Sequence, residues 1–237
     1  MTSMAEGYQN DIWLGTEKGV HRLDRSNLSL ESHSFLDNED VSCMYSNGYK
    51  IYAGCKDGAI YSFAYGQEPK CHRKATGSPI LSLFVDSGDL IWFNDTRMGS
   101  ARIKPDTGDE KLFQQSVPVP EYYDFGGGFS EKYGKVWVRM NHGGYGYYNR
   151  ETDNVEYFHN DPSNPWNLSN TVLASLETQE GVIWMSTIRR GLDKLEILNN
   201  NIVRKLPVKE AQSTLENEIR SIYYDPQREL TFIGNKA

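Results

Sequence analysis

The chain repeats itself, and this constrains its fold more than any other feature of the sequence. The pattern apolar, aromatic, apolar, Gly, Thr occurs as Ile12-Trp13-Leu14-Gly15-Thr16, returns as Ile51-Tyr52-Ala53-Gly54-Cys55, and recurs more weakly as Ile91-Trp92-Phe93-Asn94-Asp95. Three further copies are Val136-Trp137-Val138-Arg139-Met140, Ile183-Trp184-Met185-Ser186-Thr187 and Thr231-Phe232-Ile233-Gly234-Asn235. The aromatic slot therefore falls at 13, 52, 92, 137, 184 and 232, with spacings of 39, 40, 45, 47 and 48 residues. Self-similarity at such a period marks a repeat architecture, in which each unit is one supersecondary element.

The units share an interior as well. An apolar run precedes the aromatic slot, as in Val41-Ser42-Cys43-Met44-Tyr45, Ile80-Leu81-Ser82-Leu83-Phe84, Val172-Leu173-Ala174-Ser175-Leu176 and Ile219-Arg220-Ser221-Ile222-Tyr223. A glycine and a third short segment follow it, as in Gly19-Val20-His21-Arg22-Leu23, Gly58-Ala59-Ile60-Tyr61-Ser62, Gly144-Tyr145-Gly146-Tyr147-Tyr148 and Gly191-Leu192-Asp193-Lys194-Leu195. A more polar stretch such as Val155-Glu156-Tyr157-Phe158-His159 closes the unit. Short β-branched and aromatic runs separated by Gly, Asn and Asp turns read as strands. Four strands in roughly 40 to 50 residues make one propeller blade. The fold class is therefore all-β: a β-propeller of four-stranded blades, with about five and a half units forming one segment over residues 1–237.

Composition narrows the function. With 25 Lys plus Arg against 32 Asp plus Glu, the net charge of -7 argues against wrapping nucleic acid or an anionic membrane surface. No run approaches the roughly 18 apolar residues of a membrane span, and Met1 to Gly7 has neither the basic nor the apolar region of a signal peptide. Cys43, Cys55 and Cys71 have no C-x-x-C spacing and read as buried apolar thiols, neither a disulfide framework nor a zinc knuckle. A tight turn at Asn47-Gly48 would set Cys43 opposite a residue near Tyr52, so Cys43 and Cys55 are not expected to face each other. No G-x-S-x-G elbow, H-E-x-x-H, P-loop or dinucleotide fingerprint occurs. His21, His33, His72, His142 and His159 are scattered and read as ordinary strand or loop residues. No catalytic residue, metal or cofactor is expected.

The blocks Asn160-Asp161-Pro162-Ser163-Asn164-Pro165-Trp166-Asn167-Leu168-Ser169-Asn170 and Glu180-Gly181-Val182-Ile183-Trp184-Met185-Ser186-Thr187, with Gly191-Leu192, resemble the two-component regulator propeller repeat. So does the stretch from Gly126-Gly127-Gly128-Phe129 to Tyr148-Asn149-Arg150-Glu151-Thr152. That repeat builds the periplasmic sensor region of hybrid two-component systems in Bacteroides-type gut bacteria. WD repeats fit worse, since no Trp-Asp dipeptide occurs, and Glu180 directly before Gly181 departs from the sialidase-type Asp box. The resemblance implies a periplasmic segment of a larger inner-membrane histidine kinase sensor, missing both ends of a seven-bladed ring. Its implied partners are the rest of the sensor, a homodimer partner and an oligosaccharide, with no nucleic acid or membrane contact in this segment. Two alternatives stand beside it. Residues 219–224 could close a five-bladed ring beside Ile12 to Thr16, and the propeller could be a scaffold for protein interaction or receptor dimerisation with no small ligand.

An aromatic repeated in every unit does one job in every unit, which is packing. Candidate ligand residues are therefore sought where the repeat is broken. In a four-strand meander the turn from the second to the third strand and the connection to the next blade emerge at the same end. Asn94, Asp95 and Arg97 replace the Gly-Thr region in the third unit, Arg139, Asn141 and His142 do so in the fourth, and Arg189 and Arg190 enter the fifth-unit turn. Connections add Tyr122, Tyr123 and Asp124, and also Trp166 and Asn167. Aromatic platforms mixed with bidentate hydrogen-bonding groups suit carbohydrate recognition. The competing reading has Arg139 salt-bridged to a neighbour and Trp166 packing its own loop.

Overall fold

The computed structural model describes residues 1–7, 11–31, 35–64, 66–97, 99–113, 128–132, 134–139, 145–158, 172–178, 182–187, 191–196, 203–206 and 219–235. Among them every regular element is a β-strand, and no helix is long and apolar enough to cross a membrane. Five sheets are four-stranded meanders with strands in sequence order. The first holds β1 (Ser3–Glu6), β2 (Ile12–Thr16), β3 (Gly19–Asp24) and β4 (Ser29–Leu30). The second holds β5 (Val41–Ser46), β6 (Ile51–Cys55), β7 (Ile60–Phe63) and β8 (Lys70–Arg73). The third holds β9 (Ile80–Val85), β10 (Ile91–Asp95), β11 (Gly99–Lys104) and β12 (Asp109–Phe113). The fourth is β13 (Gly128–Lys132), β14 (Lys135–Arg139), β15 (Tyr145–Asn149) and β16 (Asn154–Tyr157). The fifth is β17 (Val172–Glu177), β18 (Val182–Thr187), β19 (Leu192–Glu196) and β20 (Val203–Leu206). A two-stranded sheet, β21 (Ile219–Asp225) with β22 (Leu230–Asn235), completes the described chain. The fold is all-β and built of propeller-type blades, as the repeat period predicts.

The chain divides into two compact units, the first holding the three N-terminal sheets and the start of β13, the second the remainder. In the first unit β1 lies beside β5, and β5 beside β9. This stacking covers both faces of the middle strands. Along β6, Ile51, Ala53 and Cys55 join Trp13, Val20 and Val41 in one core, while Tyr52 joins Ile80, Val85 and Phe93 in the next. A strand buried on both faces has no polar face to alternate with, so the motif is apolar at consecutive positions. In the second unit Trp137, Tyr145, Val172, Ile183, Met185 and Leu195 form the corresponding core.

Two devices bring neighbouring sheets of the first unit together. The motif glycines permit the approach: a Cβ on Gly15 would lie 2.8 Å from Val41 Cγ1, and one on Gly54 would lie 2.6 Å from Ile80 Cγ2. Hydroxyls then clip the sheets. Thr2 Oγ1 lies 3.0 Å from the Gly15 carbonyl and 2.6 Å from the Val41 carbonyl, and Ser42 Oγ repeats the arrangement at 3.0 Å from Gly54 and 2.6 Å from Ile80. Ser42 is also the extra residue of a bulge. Pairing with the second strand skips Ser42, Leu81, Leu173 and Arg220, the same position in four units.

Four expectations are refined. Of the three thiols expected to be buried only Cys55 is; Cys43 is half-buried, and Cys71 is exposed on β8, the outermost strand of its sheet. Trp13, Tyr52, Trp92 and Trp137 are buried as the packing role requires, but Trp184 is only half-buried and Phe232 is 50% exposed. Phe232 lies on β22, the second strand of the two-stranded sheet, whereas the fifth sheet lies against β21. Cys43 does not face Cys55, as expected, but its partner is Gly54, because Tyr45 and not Cys43 pairs with Tyr52. The cause is the turn: Asn47 Oδ1 accepts hydrogen bonds from the Tyr49 and Lys50 amides, so Asn47 begins a four-residue connection in place of a two-residue hairpin.

Candidate functional site

The end of the blades expected to bind ligand has an inward chemistry in the third sheet. Asn94 ends the motif of β10 and is fully buried; its Nδ2 donates to Ser82 Oγ at 2.9 Å, and Ser100 Oγ donates to its Oδ1 at 2.5 Å. Asp95 is fully buried as well. Its Oδ2 lies 3.2 Å from Arg73 Nη2, and its Oδ1 accepts the Arg97 amide at 3.0 Å. Arg73 comes from β8 of the preceding sheet, where it also bonds the Gly58 carbonyl, Thr76 Oγ1 and Glu110 Oε2 and lies 4.7 Å above the Phe93 ring. Asn94 therefore ties the strands of its own sheet, and Asp95 ties that sheet to the second, through bonds inside the protein. Arg97 is exposed on the same turn. Arg139 ends β14 in the second unit, where burial holds its guanidinium below its ordinary pKa. Asn141, His142, Trp166, Arg189, Arg190, Tyr122 and Tyr123 lie outside the described residues, as do Asp124 and Asn167.

A second candidate lies at the opposite end of the blades. There the connection from β9 to β10 and the turn from β11 to β12 meet the outer strands of the second sheet around a cleft of about 450 Å³. Lys50 and Tyr52 enter it from β6 and its approach, Ser62 from β7, and Lys70 and His72 from β8. Asp89, Lys104, Asp106 and Thr107 face them from the third sheet. His72 Nε2 and Ser62 Oγ are 2.7 Å apart, and the Tyr52 and His72 rings stand 6.3 Å apart at 31°. Burial, reinforced by Lys70 and Lys50, pushes the His72 pKa down to about 4, so the imidazole is neutral at neutral pH. Lys70 Nζ reaches across to the Pro105 carbonyl at 3.4 Å. The β9–β10 connection is itself held rigidly: Asp86 Oδ1 accepts the Gly88 and Leu90 amides at 2.8 and 3.0 Å, and Asp86 Oδ2 accepts Trp92 Nε1 at 2.9 Å.

Sequence reasoning did not pick out this cleft. Its one legible trace is that Lys50, Lys70 and Lys104 all sit where a strand meets a turn of the same end. Elsewhere Glu39, Cys55 and Asp57 place possible metal-ligating atoms within 4.8 Å of one another. Burial and the neighbouring Glu39 raise the Cys55 thiol above its ordinary pKa, Glu39 accepts the Tyr61 hydroxyl at 3.1 Å, and Asp57 accepts the Ala59 amide at 2.9 Å. Both carboxylates are thus engaged in hydrogen bonds within the protein.

No protein-family model matches the chain, and no curated protein matches its sequence. Solved structures match throughout its length. The extracellular domain of the putative hybrid two-component system BT3049 from B. thetaiotaomicron is similar over 99% of this chain, with a TM-score of 0.60 and 16% identity. That of BT4673 from the same organism is similar over 98%, with a TM-score of 0.60 and 17% identity. This chain spans only 34% and 32% of those two. Selenomethionine-substituted virginiamycin B lyase from Staphylococcus aureus is similar over 94% of this chain and 88% of its own, with a TM-score of 0.58 and 10% identity. At these identities the likeness concerns the fold, and at that level it matches the resemblance carried by the repeat motifs.

Proposed function

We propose that this chain is part of the extracytoplasmic sensor propeller of a hybrid two-component histidine kinase and contributes to sensing a glycan or oligosaccharide. The observation that carries the reading is the fold likeness to two such extracellular domains over nearly all of this chain. On this reading the segment lies in the periplasm, is joined to the rest of a sensor protein and performs no catalysis itself. The lyase neighbour is an enzyme on a similar fold, so fold alone does not separate the two uses. The direct test is the reading frame around the chain. A signal sequence upstream, with a membrane helix and kinase downstream, supports the proposal; a frame encoding neither overturns it.

A scaffold role is the second reading, favoured by one observation. The β21–β22 sheet exposes Tyr223, Leu230, Phe232 and Ile233, and exposed apolar groups clustered on a sheet suit a protein partner. Calorimetry with a panel of neutral and acidic glycan fragments, on the native chain and on Arg139→Ala, separates the readings. Saturable binding weakened by the substitution favours sensing at the predicted face, and no binding of any fragment favours the scaffold.

A further inference from the structure

We propose that the cleft between the second and third sheets binds a singly charged, polyhydroxylated carboxylate, a sugar acid or hydroxy acid about one sugar ring in size. Its volume of about 450 Å³ falls within the roughly 300–1,000 Å³ of small-molecule pockets. Charge selects the ligand class. Lys50, Lys70 and Lys104 face Asp89 and Asp106, which leaves one positive charge over with His72 neutral. Lys104 lies 3.5 Å from Asp109, outside the cleft lining, but that carboxylate is met more closely by Arg102 at 2.9 Å, so the surplus charge stands. Among the described residues Lys50 and Lys70 have no carboxylate within ion-pair distance, so their ammonium groups are the donors a carboxylate would meet. A phosphate dianion would bring a second negative charge toward Asp89 and Asp106. A monoanion balances the cleft.

The rest of the lining suits hydroxyl groups on a ring with an apolar face. Carboxylates of Asp89 and Asp106 accept hydrogen bonds from hydroxyls, while Thr107 both donates and accepts. Neutral His72, bonded to Ser62, retains a ring nitrogen for a further hydrogen bond. Leu90 and Pro105, half-buried in the lining, supply an apolar surface beside these groups, while Tyr52 is itself buried in the core. The site is also supported from behind, because the three hydrogen bonds to Asp86 fix the connection that carries Asp89. None of this depends on the sensor reading, which is tested by the flanking gene sequence.

The experiment is an NMR titration of the isotope-labelled 237-residue chain with sodium glucuronate, methyl glucoside and inorganic phosphate. Glucuronate is expected to give saturable shifts at the amides of Lys50, Leu90 and Thr107. Methyl glucoside, which keeps the ring and lacks the charge, is expected to bind at least about tenfold more weakly, as is glucuronate to the Lys50→Gln/Lys70→Gln double variant. Both lysines are exposed, so an otherwise unchanged variant spectrum certifies its fold. The proposal fails if glucuronate does not saturate or shifts amides elsewhere, or if the double variant binds it undiminished. Equal binding of methyl glucoside would make this a neutral-sugar cleft, and tighter binding of phosphate would make it a dianion site; either overturns the assignment.

Discussion

Arg73 shows how a single side chain can be tied to two sheets. Its side chain is 4% exposed, carries a full charge, and is met by the wholly buried Asp95 and by Glu110. Removing the wholly buried Asp95 breaks one of these two pairs and leaves Arg73 with Glu110, so the cost is at most the roughly 3–5 kcal/mol typical of breaking a buried pair. Asp95→Ala is accordingly expected to lower unfolding stability by up to that amount in denaturant titration, whereas Arg97→Ala, on the same turn but exposed, should leave the midpoint nearly unchanged. His72 gives a second residue-scale prediction, with a defined sign. Its folded pKa of about 4 lies below the ordinary 6.5, so the unfolded chain takes up the proton first as pH falls. Its effect on stability is absent above 6.5, grows as a loss between 6.5 and about 4, and is constant below that. Urea midpoints measured across this window should fall more steeply for the native chain than for His72→Gln, and parallel curves would count against the buried neutral imidazole.

At the scale of elements, the second strand is the organising one. β6 is buried at all five positions because sheets lie against both its faces, and its Gly54 is where the following sheet comes nearest. Any side chain there must displace Ile80, and forcing extra volume into a packed core typically costs about 1–3 kcal/mol. Gly54→Ala should therefore destabilise the protein measurably in thermal melts, whereas Gly48→Ala tests a different term. Gly48 has open space around it but a φ of 89°, so its penalty is conformational and of the order of 1 kcal/mol. Equal losses at the two sites would reject the close-approach argument. The bulge at Ser42 belongs to the same device: an extra residue in the first strand places a hydroxyl between its own sheet and the next.

For the whole molecule, strands and turns are the only regular structure among the described residues. The far-UV circular dichroism should be of β type, and a spectrum with the double minimum of helix would contradict the fold. Local and periodic features were legible in the chain: the strands, their grouping in fours and the aromatic slot, because each of these is carried by residues adjacent in the chain and repeated from unit to unit. Its periodicity could not report that Phe232 would lie exposed, since burial depends on whether another sheet stacks there. The sequence also marked Asn94 and Asp95 as breaks in the repeat, which they are. Only the tertiary structure showed that their polar groups turn inward, because the partner that holds Asp95 is Arg73, 22 residues earlier on a different sheet. The lysine-lined cleft was hidden for the same reason. Lys50, Lys70 and Lys104 are far apart in the chain and become neighbours only when the turns of one sheet close over the strands of another. Such a juxtaposition has no period of its own to read.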